Sequence, residues 1–463
     1  MKRVIFLITV IFVITNTVFA QTENYQTAIN KLLEDYNSDK YEAIFNSFSD
    51  EMQQALPLTT TKQFLTGLKM QFGNIKNTEF VDYTPEMYAI YKTEFEKTVL
   101  DINISLDQQN RIDGFLIKPY QKNVEDNKAI NNLNSYPKGV AETLFSYSKD
   151  FPNRTQLSVA VIQDGKVNYY GIIKENDTIK PIMNRDKVFE IGSITKVFTS
   201  TVLASLVIDK KIELTDEINS YYPFVFKDNI KLSFESLANH TSGLPRLPEN
   251  MDLSDAANPY KNYGKNEINE YLKNFLTLEN QQKESYSNLG SGLLGYTLGL
   301  SQKTDFQKLL QKRVFDKYKM NNSFVTAQNL EYRLIKGQDP EGQITSNWEF
   351  DVLFGAGGIL STTEDLIKFV QAHFNPKNKE LELTRKPTFE IDESTKIGLG
   401  WYILKLSDDK EVIWHNGGTG GYSSSMIIDI DKKKAVVVLS NVSTFHPKNG
   451  NIDKISFQLI NAD

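Results

Sequence analysis

Two folded domains of mixed α+β class are what this chain of 463 residues predicts, since single domains rarely grow beyond about 250–300 residues. Leu100-Asp101-Ile102-Asn103-Ile104-Ser105-Leu106 alternates strictly between apolar and polar, the mark of a half-buried strand in the first domain. In the second, Leu157 to Ile162 and Lys166 to Ile173 flank the hairpin signal Asp164-Gly165, and strands return at Ile413, Ser424 to Ile430 and Ala435 to Leu439. Between them Val197 to Ile208 is apolar nearly all round, as in a helix buried on every side. The two ends of the second domain are therefore expected to share one antiparallel sheet, with the helical middle packed beside it and a functional site between sheet and helices.

In chain order, Lys2-Arg3, the apolar run Val4 to Ile14 and Val18-Phe19-Ala20 before Gln21 have the make-up of an export signal cut after Ala20. The apolar run is shorter than the roughly 20 residues that span a bilayer. A secreted or periplasmic protein with no stable membrane anchor is the expectation, an uncleaved N-terminal anchor the alternative. The chain has no cysteine, which excludes a lipoprotein anchor, and it is long enough to bury a core without disulfides. Its net charge of −6 becomes −8 once Lys2 and Arg3 are removed, which argues against nucleic acid or anionic membranes as partners.

The first domain, residues 23–120, opens with helical patterns at Thr27 to Tyr36 and at Thr60 to Phe72, the latter ending at Gly73. Strands follow at Leu100 to Leu106 and, after the polar turn Gln108-Gln109-Asn110, at Gly114 to Tyr120. Helices followed by a curved antiparallel sheet resemble the small α+β cone modules found ahead of secreted hydrolases. The domain has no histidine and its acidic residues are scattered, so it reads as a ligand-binding or dimerisation module. Residues 121–138, rich in Asn, Lys and Asp, read as a linker, and the domain at 139–463 begins with a helix near Gly139 to Lys149.

Ser193-Ile194-Thr195-Lys196 stands at the head of the buried helix. Residues three apart share a helix face, so the Lys196 amine can reach the Ser193 hydroxyl. Burial disfavours the ammonium form and makes a neutral amine available to take a proton from serine, which alone is a weak nucleophile. Gly192 leaves room for a substrate to approach the backbone. The same pattern at Ser146 to Lys149 and at Ser407 to Lys410 has no buried helix after it, and Ser407-Asp408-Asp409-Lys410 reads as a polar hairpin turn.

Tyr286-Ser287-Asn288 supplies a group that can pass the proton to a leaving atom, Tyr286, and one that can hold substrate, Asn288. It lies on a polar turn before a helix of small residues. Tyr260-Lys261-Asn262 matches the pattern without that setting and reads as a loop. In Trp414-His415-Asn416-Gly417-Gly418-Thr419-Gly420-Gly421-Tyr422 a strand runs into glycines. These either expose backbone N–H groups that cradle an oxyanion or form a bulge, and His415 is either part of the site or an ordinary partly buried histidine.

With these motifs in this order, the chain resembles the serine β-lactamase and penicillin-binding protein superfamily, closest to its class C and carboxypeptidase or esterase branch. Leu237 to Pro245, Gly357 to Leu366 and Gly398 to Tyr402 agree as well, and the match covers roughly residues 140 to 445. The resemblance implies an antiparallel sheet flanked by helices, with a helical subdomain. It implies Ser193 as acylated nucleophile, Lys196 as base, Tyr286 as proton relay and Asn288 as ligand of the substrate amide. The oxyanion would lie between the backbone N–H groups of Ser193 and Gly418, with His415, Asn416 and Gly417 as the third, substrate-binding motif. Expected substrates are β-lactams, D-amino-acid peptides or esters. A small-ester hydrolase and a penicillin-binding sensor that acylates without turnover are the alternatives, since no dedicated deacylation base stands out beyond Tyr286 or Lys196.

Where the family commonly has Lys-Thr-Gly, this chain has His415-Asn416-Gly417. A histidine of pKa about 6.5 is mostly neutral at pH 7. If His415 bound a substrate carboxylate as imidazolium, affinity would fall as pH rose through about 6.5. The four histidines lack ligand spacing, no cysteine is present, and Gly355-Ala356-Gly357-Gly358 lacks the lysine of a phosphate loop, so no metal or other cofactor is expected. His240 is expected to tie down its loop. Ser361 to Asp365 reads as a helix start with Ser361 or Thr362 as N-cap and Glu364 or Asp365 completing a capping box.

Overall fold

The computed structural model describes residues 24–83, 88–120, 129–255, 257–279, 283–407 and 410–462, so the expected export signal lies outside the described residues. The chain divides into two compact units, Met1–Val124 and Glu125–Asp463. Among the described residues no helix is long and apolar enough to cross a membrane.

In the first unit, helices α1 (24–37), α2 (Tyr41–Asn46), α3 (Asp50–Ala55) and α4 (Leu58–Phe72) precede an antiparallel sheet. Its strands β1 (Ile75–Tyr83), β2 (Ala89–Phe95), β3 (Val99–Leu106) and β4 (Ile112–Pro119) lie side by side in chain order. Ile29, Leu32 and Leu65 from the helices share one core with Tyr91, Phe95, Ile102 and Ile104 from the sheet. β1 escapes a reading by alternation because it lies at the sheet edge and most of its residues face solvent.

The second unit is organised by a ten-stranded sheet. Its first half in sequence is β5 (Ile130–Asn131), β6 (Gln156–Gln163), β7 (Lys166–Glu175) and β8 (Thr178–Ile182). Its second half is β11 (Phe389–Glu390), β12 (Thr395–Ile397), β13 (Tyr402–Ser407), β14 (Lys410–Gly418), β15 (Ser423–Asp429) and β16 (Lys434–Ser440). The order is β11-β12-β13-β14-β15-β16-β6-β7-β8-β5, and the two halves join where β16 runs antiparallel to β6, Ala435 opposite Ile162 and Ser440 opposite Leu157. The strands β9 (Phe189–Glu190) and β10 (Leu360–Ser361) form a separate pair. Ile130–Asn131, within the span expected as linker, instead pairs with β8 in parallel at the sheet edge.

Both faces of this sheet are covered, which is why its central strands are nearly all apolar. Val159, Val161, Val436 and Val438 share a core with Leu144 of α5 (Lys138–Ser148) and with Ile452 and Ile455 of the C-terminal helix Asn451–Ile460. Ala160, Ile162, Val437 and Leu439 point the other way, as pleating requires, and share the larger core with α6 (Thr195–Ile208), α7 (Asn288–Ser301) and α8 (Thr363–His373). α6 is buried from Thr195 through Leu206, as its all-round apolar pattern requires. Thr362 caps α8 by accepting from the Asp365 amide at 3.2 Å, but no capping box closes: the Asp365 carboxylate accepts from Asn322, Ser323 and Lys368 instead.

Candidate active site

Ser193 sits in a tight turn, Gly192–Ile194, that leads straight into α6, so the hydroxyl is presented at the start of a rigid buried helix. Gly192 has φ of 51°, and a Cβ there would lie 2.5 Å from the Gly418 amide nitrogen. At Gly417 a Cβ would lie 2.0 Å from the Ile191 carbonyl and 2.8 Å from the Ser193 amide nitrogen. The end of β14 thus presses against the turn that carries Ser193. Ser424, opposite Gly417 on β15, fastens the contact by donating to the Ile191 carbonyl at 2.9 Å. The β14–β15 register runs unbroken through Gly418, so these glycines serve close approach and not a bulge.

Lys196 is fully buried, and burial first, then the Arg246 charge, holds its amine well below the ordinary lysine range. Its Nζ lies 3.0 Å from Ser193 Oγ, 2.8 Å from Asn288 Oδ1 and 2.8 Å from the Ala356 carbonyl oxygen. A neutral amine has two N–H donors and one lone pair. Asn288 Oδ1 and the Ala356 carbonyl oxygen can only accept, so they take both N–H groups and leave the lone pair for the Ser193 hydroxyl. The Tyr286 ring centre lies 4.7 Å from Lys196 Nζ, and the Ser193 side chain acts on the Tyr286 hydroxyl. Burial pushes the Tyr286 hydroxyl up to about 12, keeping it a proton donor in the free site.

Tyr286 is placed by the start of α7. Ser287 caps that helix, accepting from the Gly290 amide at 2.8 Å and donating to the Pro245 carbonyl at 2.6 Å. His240 ties the turn down: its Nδ1 accepts from the Ser287 amide at 3.3 Å and its ring lies 4.6 Å from that of Tyr286. Asn288 is engaged at both ends of its amide, with Lys196 at the oxygen and the Tyr260 hydroxyl at the nitrogen, 2.8 Å away.

β14 brings only half of its predicted residues to the cleft. His415 and Gly417 face the site, whereas Trp414 and Asn416 point to the opposite face because side chains alternate along a strand. There Trp414 packs on Phe457 and Asn416 donates to Asp453 at 2.8 Å, so the expectation that Asn416 binds substrate is corrected. His415 is fully buried; its Nδ1 donates to the Asn416 carbonyl at 2.6 Å, and its Nε2 has no partner among the described residues. Burial, then the nearby Lys196, pulls its pKa down to about 3. The imidazolium expected to titrate near 6.5 is therefore not a property of the free site.

Two residues that motif reading passed over belong here. Tyr260 reaches Asn288 and stacks on Phe350 at 4.5 Å, with Trp348 at 5.4 Å. Arg246, on the loop after the Asn239 to Gly243 turn, places its guanidinium 5.2 Å from the Tyr286 ring centre. No spacing rule relates either position to Ser193; the Leu244-Pro245-Arg246 run beside the Asn239 to Gly243 turn was the only local signal. The Ser146 to Lys149 repeat of the first motif lies at the end of α5, and Ser407 and Lys410 border the β13–β14 turn. No group of three or more His, Asp or Glu side chains among the described residues could hold a metal ion.

Comparison with known proteins adds relatives to this geometry. The family model described as Beta-lactamase matches residues 148–456, and one described as a protein of unknown function (DUF3887) matches residues 30–115. A β-lactamase of Pseudomonas fluorescens is 26% identical over 325 residues, covering 62% of this chain and 88% of that protein. β-Lactamase-like protein 2 of Dictyostelium discoideum is 28% identical over 279 residues, 57% of this chain and 50% of that protein. Among solved structures, a class C β-lactamase from Rhodobacter sphaeroides superposes with a TM-score of 0.60 at 17% identity, over 70% of this chain and 100% of the other. The β-lactamase/D-alanine carboxypeptidase of Pseudomonas syringae gives 0.59 at 21% identity, over 70% and 98%. With the family match extending over more than half of its length, the chain belongs to the β-lactamase family of serine hydrolases.

Proposed function

We propose that this protein hydrolyses amide or ester bonds through an acyl-enzyme on Ser193. The observation that carries the reading is the arrangement around Lys196 Nζ, with two carbonyl acceptors on one side and the Ser193 hydroxyl on the other. Lys196 takes the hydroxyl proton as Ser193 Oγ bonds to the carbonyl carbon, and the backbone N–H groups of Ser193 and Gly418 hold the oxyanion that forms. Tyr286 gives its proton to the departing nitrogen or oxygen and regains one from Lys196. Water then attacks the ester by the same steps in reverse. Asn288 orients Lys196 throughout and offers its amide to the substrate.

β-Lactams and D-amino-acid cell-wall peptides are the proposed substrates, in keeping with the names of the P. fluorescens and P. syringae relatives. A small-ester hydrolase is the second reading. It is favoured by His415, a buried neutral ring where the family commonly carries a charged lysine. Export to the periplasm or beyond is proposed from Lys2 to Ala20.

An intact-mass time course of the mature protein with a penicillin, against Ser193→Ala, separates these readings. A lasting adduct absent from Ser193→Ala supports a penicillin-binding peptidase or sensor, and a transient adduct with drug consumed supports a β-lactamase. No adduct with penicillin but turnover of aryl esters supports the esterase. Neither adduct nor ester turnover refutes the acyl-enzyme.

A further inference from the structure

Among the described residues the Arg246 side chain makes no hydrogen bond or ion pair that explains its position. Its backbone is fixed, the carbonyl accepting from the Asn288 and Leu289 amides at 3.0 and 3.1 Å, yet its side chain is exposed and lies over the Tyr286 ring. No carboxylate among the described residues lies within the 4.0 Å of an ion pair with it. Glu284, whose charge also acts on Tyr286, is instead held by the Tyr402 hydroxyl at 2.9 Å. The Arg246 charge acts on Lys196, His240, Tyr260, Tyr286 and Tyr402, so this exposed cation stands close to the groups of the site. On the facing wall, His415 offers an unpartnered ring nitrogen but no charge.

We propose that Arg246 is the anion anchor of this site, its guanidinium pairing with a carboxylate of the substrate in place of the cation that β14 does not supply. A guanidinium suits the task because its planar fork meets both carboxylate oxygens and stays charged at every working pH. The guanidinium lies 5.2 Å from the Tyr286 ring centre, and that ring centre lies 4.7 Å from Lys196 Nζ, so the charge stands beside the groups that would meet substrate at Ser193. The inference rests on the acyl-enzyme reading and assigns the charge class of its substrate.

The test uses matched aryl esters in two arms. One compares p-nitrophenyl butyrate with mono-p-nitrophenyl glutarate, placing the carboxylate on the acyl portion. The other compares 3-(methoxycarbonyl)phenyl butyrate with 3-carboxyphenyl butyrate, placing it on the leaving group. The readout is the ratio of kcat/KM for the charged ester to that for its neutral partner, which cancels any general effect on Tyr286. The expected result is a ratio favouring the carboxylate in one arm, falling by at least about tenfold in Arg246→Ala and largely restored in Arg246→Lys. In Arg246→Glu the preference reverses. A ratio unchanged in both arms across the three variants, or a loss in Arg246→Ala shared equally by charged and neutral esters, overturns the proposal. If no ester is turned over and penicillin leaves no adduct on Ser193, the acyl-enzyme reading falls and this one with it; turnover of neutral esters without a charge preference sinks only the anchor.

Discussion

Gly417→Ala tests the contact on which the proposed oxyanion site depends. The added methyl would sit 2.0 Å from the Ile191 carbonyl oxygen and 2.8 Å from the Ser193 amide nitrogen, both inside the 3.0 Å that real Cβ atoms respect. Both neighbours are backbone, so no side chain can swing aside. Relief requires β14 to move off the Gly192–Ile194 turn, against a sheet register that continues into β15 and against the Ser424 bond to Ile191. Overpacking of this kind costs about 1–3 kcal/mol, which lowers Tm by a few degrees. The movement also separates the Ser193 and Gly418 amides, and loss of one oxyanion donor costs about 10²–10³ in rate. Acylation of Ser193 by the most reactive probe in the mass assay should therefore slow by that factor while the protein still melts cooperatively. Acylation at the wild-type rate, with Tm lowered or not, would refute the assignment of this strand end to the oxyanion site.

Two further outcomes follow from the same geometry. Asn288→Asp puts a carboxylate 2.8 Å from Lys196 Nζ with no change in shape. It should raise the lysine pKa, so the acidic limb of the kcat/KM profile should move up by about one pH unit or more, and an unmoved limb would remove Lys196 as the base. His373, buried between Phe369 and Trp401 with neither ring nitrogen partnered among the described residues, has its pKa pulled by burial from 6.5 to about 3. The unfolded chain binds the extra proton, so stability is full above pH 6.5 and is lost towards pH 3 at about 1.4 kcal/mol per unit. His373→Phe should narrow the gap in urea-measured stability between pH 7 and pH 5 by about 2 kcal/mol, and equal gaps in both proteins would show that the ring is already solvated.

Much of this site was legible before any coordinates. That Ser193, Lys196 and Tyr286 come together could be read from local facts: a helix face shared at a spacing of three, an apolar run that announces burial, a polar turn before small residues; their proposed roles rest on that meeting. His240 was rightly read as holding a loop. Asn416 was misplaced because a motif lists residues in order, while a strand sends alternate ones to opposite faces. His415 was given its solution pKa because a sequence does not state that both walls of the cleft close over that ring. Tyr260 was set aside for lacking the setting of its motif, and it joins the site through contacts with Asn288, Trp348 and Phe350 that span about 30 to 90 residues of chain. In the first unit β1 was missed because an edge strand facing solvent has no apolar alternation to reveal it.

The sequence by itself determined the class of fold, the sheet built from both ends of the second unit, and a serine within reach of a lysine at the head of a buried helix. These depend on periodicity and on residues within one turn of each other. Only the tertiary structure decided the charge of the site. Whether Lys196 and His415 are neutral, and whether Arg246 faces the Tyr286 ring, depends on what is packed against them from distant segments, because desolvation is set by the full three-dimensional surroundings of a group.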